Sequence, residues 1–403
     1  MILKRTALLC LMTFVFMVLS GVSNAGGNLR EVKVPDRLSP GLDHLLNMVG
    51  SQSNGSFRPQ LMEEILQFVA TADAAENLYY ADKKFGATSA YYGFDIHETL
   101  EHILKFAYNP DIPSVAVMPS STRLSYWTEV QGRNQPFPKL WHFLPDLKTP
   151  VVITGIKHIE NTPDLYTGAY YAYDLNRIFC LFKHKGRRTL ITLSKQIDTS
   201  NVGKMGLVLG ADENWDYLYS TREGLAKPGL GWVRSYMYDS YSIAVFYEKD
   251  EKEPLVKCGF FKWIDAGWAE INMVQKKHIY RGLERFGKTF KEIIEYPFLP
   301  KASELEKVFT DIQHLGIDAL REQTKAYLTI LKSRHIHDKA LAREEFAKLF
   351  ESEEYLHQMK KEEMQSIFVL ECMKRILGKD KQTASIVKPI CERSAIMFSK
   401  NFR

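Results

Sequence analysis

Apolar residues recur at helical spacing near both ends of the chain and fall into short, strand-like runs between them. In the stretch from about Arg37 to Tyr108, Leu61, Ile65, Phe68 and Val69, followed by Ala72 and Ala75, share one side of a helical spiral. Pro59 stands near the start of that stripe, where its missing amide proton costs little. Asp95-Ile-His-Glu98 has the form of a capping box, so a second helix is expected from about Ile96 to the stop at Asn109-Pro110. The whole stretch therefore reads as helical.

From about Ser114 to Val274 the period shortens. Runs at 151–156, 166–173, 177–182 and 189–193 are rich in β-branched and aromatic residues, with turn-forming Asn161-Thr-Pro-Asp164, Asp174-Leu-Asn176 and His184-Lys-Gly186 between them. Connections this short demand antiparallel neighbours, because a parallel crossover takes a dozen residues or more. Later strands are expected at 233–247, 255–264 and 268–274, the last two joined by Asp265-Ala-Gly267. Tyr236 and Tyr238 fall on even positions, whereas Tyr241, Ile243, Val245 and Tyr247 are odd, and a bulge near Asp239-Ser240 would reconcile the two faces.

Beyond Gln275 the helical period returns, first over 276–295 up to Pro297 and Pro300. The stripe Leu305, Phe309, Ile312, Leu315 and Leu320, continued by Tyr327, Leu328 and Leu331, has to be buried against something. Further helices are expected over 338–377, capped by Gly378, and over 383–398, kinked or restarted at Pro389.

The fold class is therefore α+β: N-terminal helices, a central curved antiparallel β-sheet closed by a long helix, and a C-terminal helical bundle. The segments divide at 1–25 (leader), 26–111 (N-terminal helical segment), 112–297 (β domain with its closing helix) and 298–403 (helical domain). The order of elements over about 96–295 resembles the helix-grip arrangement of START-like lipid-binding domains, most clearly where Gly267-Trp-Ala-Glu-Ile-Asn-Met-Val274 runs into the long helix. That likeness, which is of element order, implies a curved sheet wrapped around its last helix and an apolar cavity between them; it transfers no residue role.

The leader has the parts of a cleavable export signal. Lys4 and Arg5 precede an uncharged apolar run at 7–19, and Ser23 and Ala25 are the small residues a signal peptidase reads. The run is short of the roughly 18 to 20 residues a membrane-spanning helix needs. Cys10 lies inside the run and no cysteine follows it closely, so no lipid anchor is expected. The mature chain is expected to be soluble and periplasmic or secreted, where thiols can pair. Cys180 and Cys258 sit in strand-like runs, Cys372 and Cys391 in the helical tail; arithmetic allows three pairings, of which a Cys372–Cys391 staple around Gly378 is the expected one. Burial as free thiols is the alternative.

Charge narrows the partners. Losing Lys4 and Arg5 lowers the formal +5 by two, and the remaining basic and acidic residues are interleaved without a basic stripe, so nucleic acid is not an expected partner. His97 and His102 are five residues apart, roughly 140° around a helix, and cannot converge on one ion, although His97 with Glu101 or Glu98 with His102 could form half a site. His335-Ile-His337 reads as a polar connection, Asp212-Glu-Asn-Trp-Asp216 as a hydrophilic turn, and the glycines at 203–206 and 224–231 as flexible turns rather than phosphate loops. No Gly-x-Ser-x-Gly elbow occurs. No catalytic residue, metal ligand or cofactor is assigned.

Tyrosine is the remaining unusual feature. Ten tyrosines lie on expected strands, where ring packing across strands explains them as well as a hydrated pocket that satisfies their hydroxyls does. Trp232, Tyr236 and Tyr238, after the flexible Gly229-Leu-Gly231, are the expected ligand-binding residues, with Tyr170 and Tyr171 from the 166–173 strand. The function expected is non-enzymatic binding of an apolar or amphiphilic, lipid-like ligand in the cell envelope. The alternatives are a periplasmic hydrolase with dispersed catalytic residues, and a structural assembly factor that meets an envelope protein partner through its C-terminal helices.

The leader generates a direct prediction: the mature chain begins at Gly26. N-terminal sequencing of the exported protein checks it, and a mature chain that retains the 7–19 run refutes it.

Overall fold

The computed structural model describes residues 29–379 apart from 51–55, 73–75, 166, 228–230, 251–252, 339–340 and 342–352. The leader and its Ala25–Gly26 junction, Cys391 and the expected 383–398 helix lie outside the described residues.

The protein is α+β, organised on one large mixed sheet. Its strands are β1 (Arg30–Lys33), β2 (Asn77–Tyr80), β3 (Thr88–Ile96), β4 (Thr122–Val130), β5 (Val151–Asn161), β7 (Ala172–His184), β8 (Arg187–Gln196), β13 (Tyr236–Asp250), β14 (Leu255–Trp268) and β15 (Ile271–Asn272). The order is β1-β2-β3-β14-β13-β8-β7-β5-β4, with β15 paired to β14, and the sheet does not close on itself. Short strands β6 (Ala169–Tyr170), β9 (Lys204–Val208) and β10 (Tyr217–Glu223) form a second sheet, and β11 (Leu225–Lys227) pairs with β12 (Gly231–Val233). β1 and β2, which precede the expected β domain, run parallel and make the sheet mixed at that edge.

The meander β5-β7-β8 forms as its turn residues dictate. Lys185 and Gly186 take φ of 50° and 82°, the paired left-handed geometry that matches the twist of a two-residue hairpin. Asp174-Leu-Asn176 is not a turn, however. Those residues pair with β5 on one side and β8 on the other, and Asp174 is held by His158 at 2.7 Å, so ladder bonds on both edges override the local turn preference. Likewise β14 continues through Asp265-Ala-Gly267, and the chain reverses at Ala269 and Glu270, with φ of 53° and 59°.

The segment expected to be helical up to Tyr108 contains β2 and β3. Helices α1 (Ser39–Gly50) and α2 (Glu63–Thr71) precede them, and the helical stripe ends at Thr71; the aromatic run that follows is drawn into the sheet, where β3 pairs with β14 over nine residues from Thr88 to Ile96. Asp95 stays in that strand and binds Lys257 at 2.6 Å. The capping role passes to Thr99, whose hydroxyl accepts from the His102 amide at 3.1 Å, so α3 (Leu100–Ala107) starts later than the Asp95 box implied.

Alternation along the strands splits the core in two. Ile178, Cys180, Ile191, Leu193, Ile243 and Val245 pack outward beneath α1 and α2. Phe179, Leu181, Leu190, Phe246, Cys258 and Phe260 face inward, toward α3, α4 (Ser114–Val117) and α5 (Lys276–Ile294). Cys180 and Cys258 are thus free thiols on opposite faces, while Cys372 is disulfide-bonded. The register of β13 shifts between Met237 and Asp239, next to the expected bulge, which puts Met237 on the inner face and Tyr236 and Tyr238 on the side of Tyr241 and Ile243.

The tail follows as α6 (Ala302–Gln313), α7 (Ile317–Arg334), α8 (Glu353–Gln358) and α9 (Lys361–Ile376). Its end is capped by Gly378 at φ +70°, with the Gly378 and Lys379 amides bonded back to the Arg375 and Lys374 carbonyls. Among the described residues no helix is long and apolar enough to cross a membrane.

A buried ionic knot docks this tail. Asp216, 1% exposed, receives Lys374 from α9 at 2.5 Å, His335 at 2.8 Å and Arg334 at 3.1 Å, and Lys374 also meets Glu371 at 2.7 Å. Two expectations are corrected here. The 212–216 segment buries Trp215 and Asp216 instead of forming a plain hydrophilic turn, and His335 leaves the surface connection to bind Asp216. Burial pushes the Asp216 carboxyl up, but Lys374, His335 and Arg334 outweigh it and hold it below its ordinary value.

Replacing Lys374 with Ala removes the cation that the buried Asp216 and Glu371 share, so Lys374→Ala is expected to lower unfolding stability by about 3 to 5 kcal/mol, read by urea denaturation. Because the folded Asp216 carboxyl titrates below its unfolded value, its contribution is complete above about pH 4 and is lost as pH falls through the lower folded value. A Lys374→Ala variant as stable as the parent removes the knot from the account of docking.

Candidate ligand cavity

Between the inner face of the sheet and the helices lies a cavity of about 2170 Å³, beyond the roughly 300–1,000 Å³ of ordinary small-molecule pockets. Its space comes from side-chain size. Across β8 and β13 the inward positions Thr192, Ser194, Ser242 and Ala244 are small, so the middle of the sheet cannot reach the helix that faces it. That helix is α5, which lines the space with Ile279, Gly282, Leu283 and Phe286. A β-carbon added at Gly282 would meet nothing within 4 Å. The tail contributes Ile312 and Val369 to another wall. Of the large apolar residues left exposed, Tyr126, Leu165, Ile271 and Met273 all border this cavity, giving it an apolar rim.

The inner wall carries charge. One cross-strand row runs Gly155, Arg177, Ser194, Ser242, Lys262, on β5, β7, β8, β13 and β14 in turn. Lys157, two residues after Gly155, falls on the same face. Gly155 is required there: a side chain would strike the Glu129 carbonyl and the Trp127 ring, which stacks on Phe137 at 4.6 Å. Lys157, Arg177 and Lys262 are all deep in the protein yet partly accessible because they face the open space. Burial, aided by the charge of Arg177, pulls Lys157 down to about 7 and Lys262 to about 8. Burial also lowers Arg177, whose Nε has no hydrogen-bond partner.

Their neighbours do not neutralise them. Lys157 Nζ reaches the Ser114 hydroxyl at 3.1 Å and lies 5.5 Å from the Trp127 ring centre. Tyr173 is next to Arg177, but burial pushes its hydroxyl up to about 12, so it stays protonated at neutral pH. Among the described residues no ion pair joins a carboxylate to any of the three cations. Leaving buried charges uncompensated costs several kcal/mol per ion.

The expected ligand-binding residues separate. Tyr171 lines the cavity and its hydroxyl meets Ser235 at 3.0 Å. Tyr170 points away, donating to the Ser220 carbonyl with its ring edge against Tyr219. Tyr236 and Tyr238 stack on each other at 6.2 Å on the opposite face of β13, where the Tyr238 hydroxyl accepts from the Glu270 amide, while Ser235 and Met237 take the wall. Trp232 belongs to β12, and its side chain is outside the described residues. The bulge is the reason: it brings the Tyr236 face into line with the outer core. Lys157, Arg177 and Lys262 also line the cavity and were not singled out in the sequence, where a lone cation inside runs such as Phe260-Phe-Lys262-Trp263 is the available signal.

His97 is bound to Glu295 at 3.1 Å, while His102 meets the Ile294 carbonyl at 3.2 Å and lies 3.8 Å from Glu98, so of the two half-sites the Glu98 and His102 pair comes together. Among the described residues no group of three or more His, Cys, Asp or Glu side chains is placed to hold a metal ion. No protein-family model matches the chain, and no curated protein matches it significantly.

In protein stripped of small molecules, Lys157→Met is expected to raise stability by roughly 2 to 4 kcal/mol at about pH 6, because it removes a charge that is costly to bury. Between about pH 7 and the unfolded value near 10.5 the unfolded chain binds a proton that folded Lys157 has lost. Parent stability therefore climbs with pH over that window and the advantage of the variant shrinks. Urea denaturation at several pH values checks both statements; an advantage that is absent or grows with pH contradicts them.

Proposed function

We propose that this chain is an exported, non-enzymatic protein that holds an apolar or amphiphilic, lipid-like ligand in the cavity between its sheet and α5. The observation that carries the reading is the cavity itself: about 2170 Å³, walled by Phe179, Phe260, Leu283 and Phe286 and opening past an exposed apolar rim. Native interiors pack nearly without voids, so a space this large is kept open for an occupant. An apolar rim is unfavourable in water and serves a ligand that arrives from an apolar phase. The leader, with Lys4, Arg5 and the small residues Ser23 and Ala25, supports an envelope or secreted location. The tail helices belong to the same reading as part of the cavity wall, and a partner protein docking on them would act on access to the ligand.

Native mass spectrometry of the mature protein purified without detergent is the first test, with a co-purifying lipid as the expected result. The sharper one fills the cavity. Gly282→Phe places a ring in open space on α5, so binding of a fluorescent long-chain fatty acid should weaken about tenfold or more, while stability holds or rises by up to about 1 kcal/mol as a helical glycine is removed. Tyr236→Ala, off the cavity, should leave that binding unchanged. Equal affinity in parent and Gly282→Phe rules out this cavity as the ligand site.

A further inference from the structure

We propose that the inner wall of the cavity is an anionic head-group site, in which Arg177, Lys157 and Lys262 hold the carboxylate or phosphate of a single-headed acidic amphiphile whose tail lies toward the apolar rim. This rests on the ligand-binding reading and deepens it by naming the class of ligand.

The cavity's polarity is inverted relative to a protein surface. Apolar Leu165, Ile271 and Met273 are exposed at its edge, while three cations stand on the inner faces of β5, β7 and β14. A row that places Arg177 and Lys262 on either side of the Ser194 and Ser242 hydroxyls offers hydrogen-bond donors from three of its four strands, because one serine proton is spent on the other serine. The two hydroxyls bond each other, and each has a further lone pair or proton to offer. Arg177 Nε is buried with no acceptor, and Tyr173, kept protonated by burial, adds another donor beside it. The surroundings are therefore rich in donors and poor in negative charge.

Two carboxylates, Asp164 and Glu362, line the cavity, and neither forms an ion pair with the three cations among the described residues. Asp164 accepts from the Thr167 amide at 2.8 Å in its own turn, and Glu362 stands in the first turn of α9. Lys157 and Lys262 feel the positive charge of Arg177, and the Tyr108 and Tyr173 hydroxyls lie near Arg177. An arriving anion would meet cationic donors that no carboxylate among the described residues pairs with, which is the arrangement that makes such bonds strong. A neutral or cationic head would leave the mutual repulsion in place.

The test is a titration of the mature chain with four sixteen-carbon probes of equal tail: hexadecanoate, hexadecyl phosphate, hexadecanol and hexadecyltrimethylammonium, with inorganic phosphate as the tail-free control. The parent should bind at least one of the two acidic probes about tenfold or more tighter than hexadecanol, bind the ammonium probe most weakly, and ignore inorganic phosphate. Which acidic probe wins separates a carboxylate from a phosphate head. In Arg177→Met/Lys262→Met the preference for acid over alcohol should fall to within about twofold with hexadecanol affinity kept. Ser242→Asp, which supplies an internal counter-charge to the row, should also abolish the preference and provides the reading if the double variant does not fold. Equal binding of acid and alcohol by the parent, or a preference that survives in both variants, overturns the head-group assignment while leaving lipid binding intact. Binding of inorganic phosphate without any tailed probe overturns the amphiphile assignment, and failure of every probe refutes the ligand-binding reading beneath it.

Discussion

The pairing of β13 between β8 and β14 is the constraint on which the remainder of the molecule depends. Seven consecutive residues of β13, from Tyr241 to Tyr247, are bonded on both edges, so their odd members must face one layer and their even members the other. The odd set, with Tyr241, Ile243, Val245 and Tyr247, is large and is closed over by α1 and α2. The even set has Ser242 and Ala244 before Phe246 restores bulk. One face of the same strand therefore makes a dry core and the other cannot fill the space in front of it.

Two treatments of buried charge follow from that layout. At Asp216 the carboxylate is 1% exposed and collects Lys374, His335 and Arg334, a set whose charges largely offset one another and fix the tail against the β10 edge. At Arg177 the geometry is the reverse: three cations share a wall without a carboxylate, in a space wide enough to admit another molecule. The first arrangement is complete within the chain. In the second, no carboxylate among the described residues offsets the cations, and their side chains line an open cavity.

The tyrosines show how a correct local reading can lead to the wrong face. Their density on strands, and a break in alternation near Asp239, are plain in the sequence, and the register shift sits within two residues of that break. The same shift that explains the pattern turns Tyr236 and Tyr238 away from the cavity and hands the wall to Ser235 and Met237. Parity along a strand is readable from one dimension, but which parity faces inward is decided by the helices that cover each side.

By itself the sequence determined the α+β class, the hairpin turn at Lys185-Gly186, the helix of 276–295, observed as Lys276–Ile294, and the glycine cap at Gly378, because these rest on periodicity and on φ preferences that act over a few residues. Tertiary structure decided the rest. Thr88–Ile96 became a strand because the edge of β14 was available to pair with it, Asp174-Leu-Asn176 stayed extended because neighbours on both sides bonded it, and His335 and Asp216, 119 residues apart, met because the tail folded back across the small sheet. Lys157, Arg177 and Lys262 look like ordinary strand cations in sequence; only the assembled sheet, with small residues opposite α5, puts them on the wall of one cavity, since long-range pairing and the volume left between layers are not encoded in any local window.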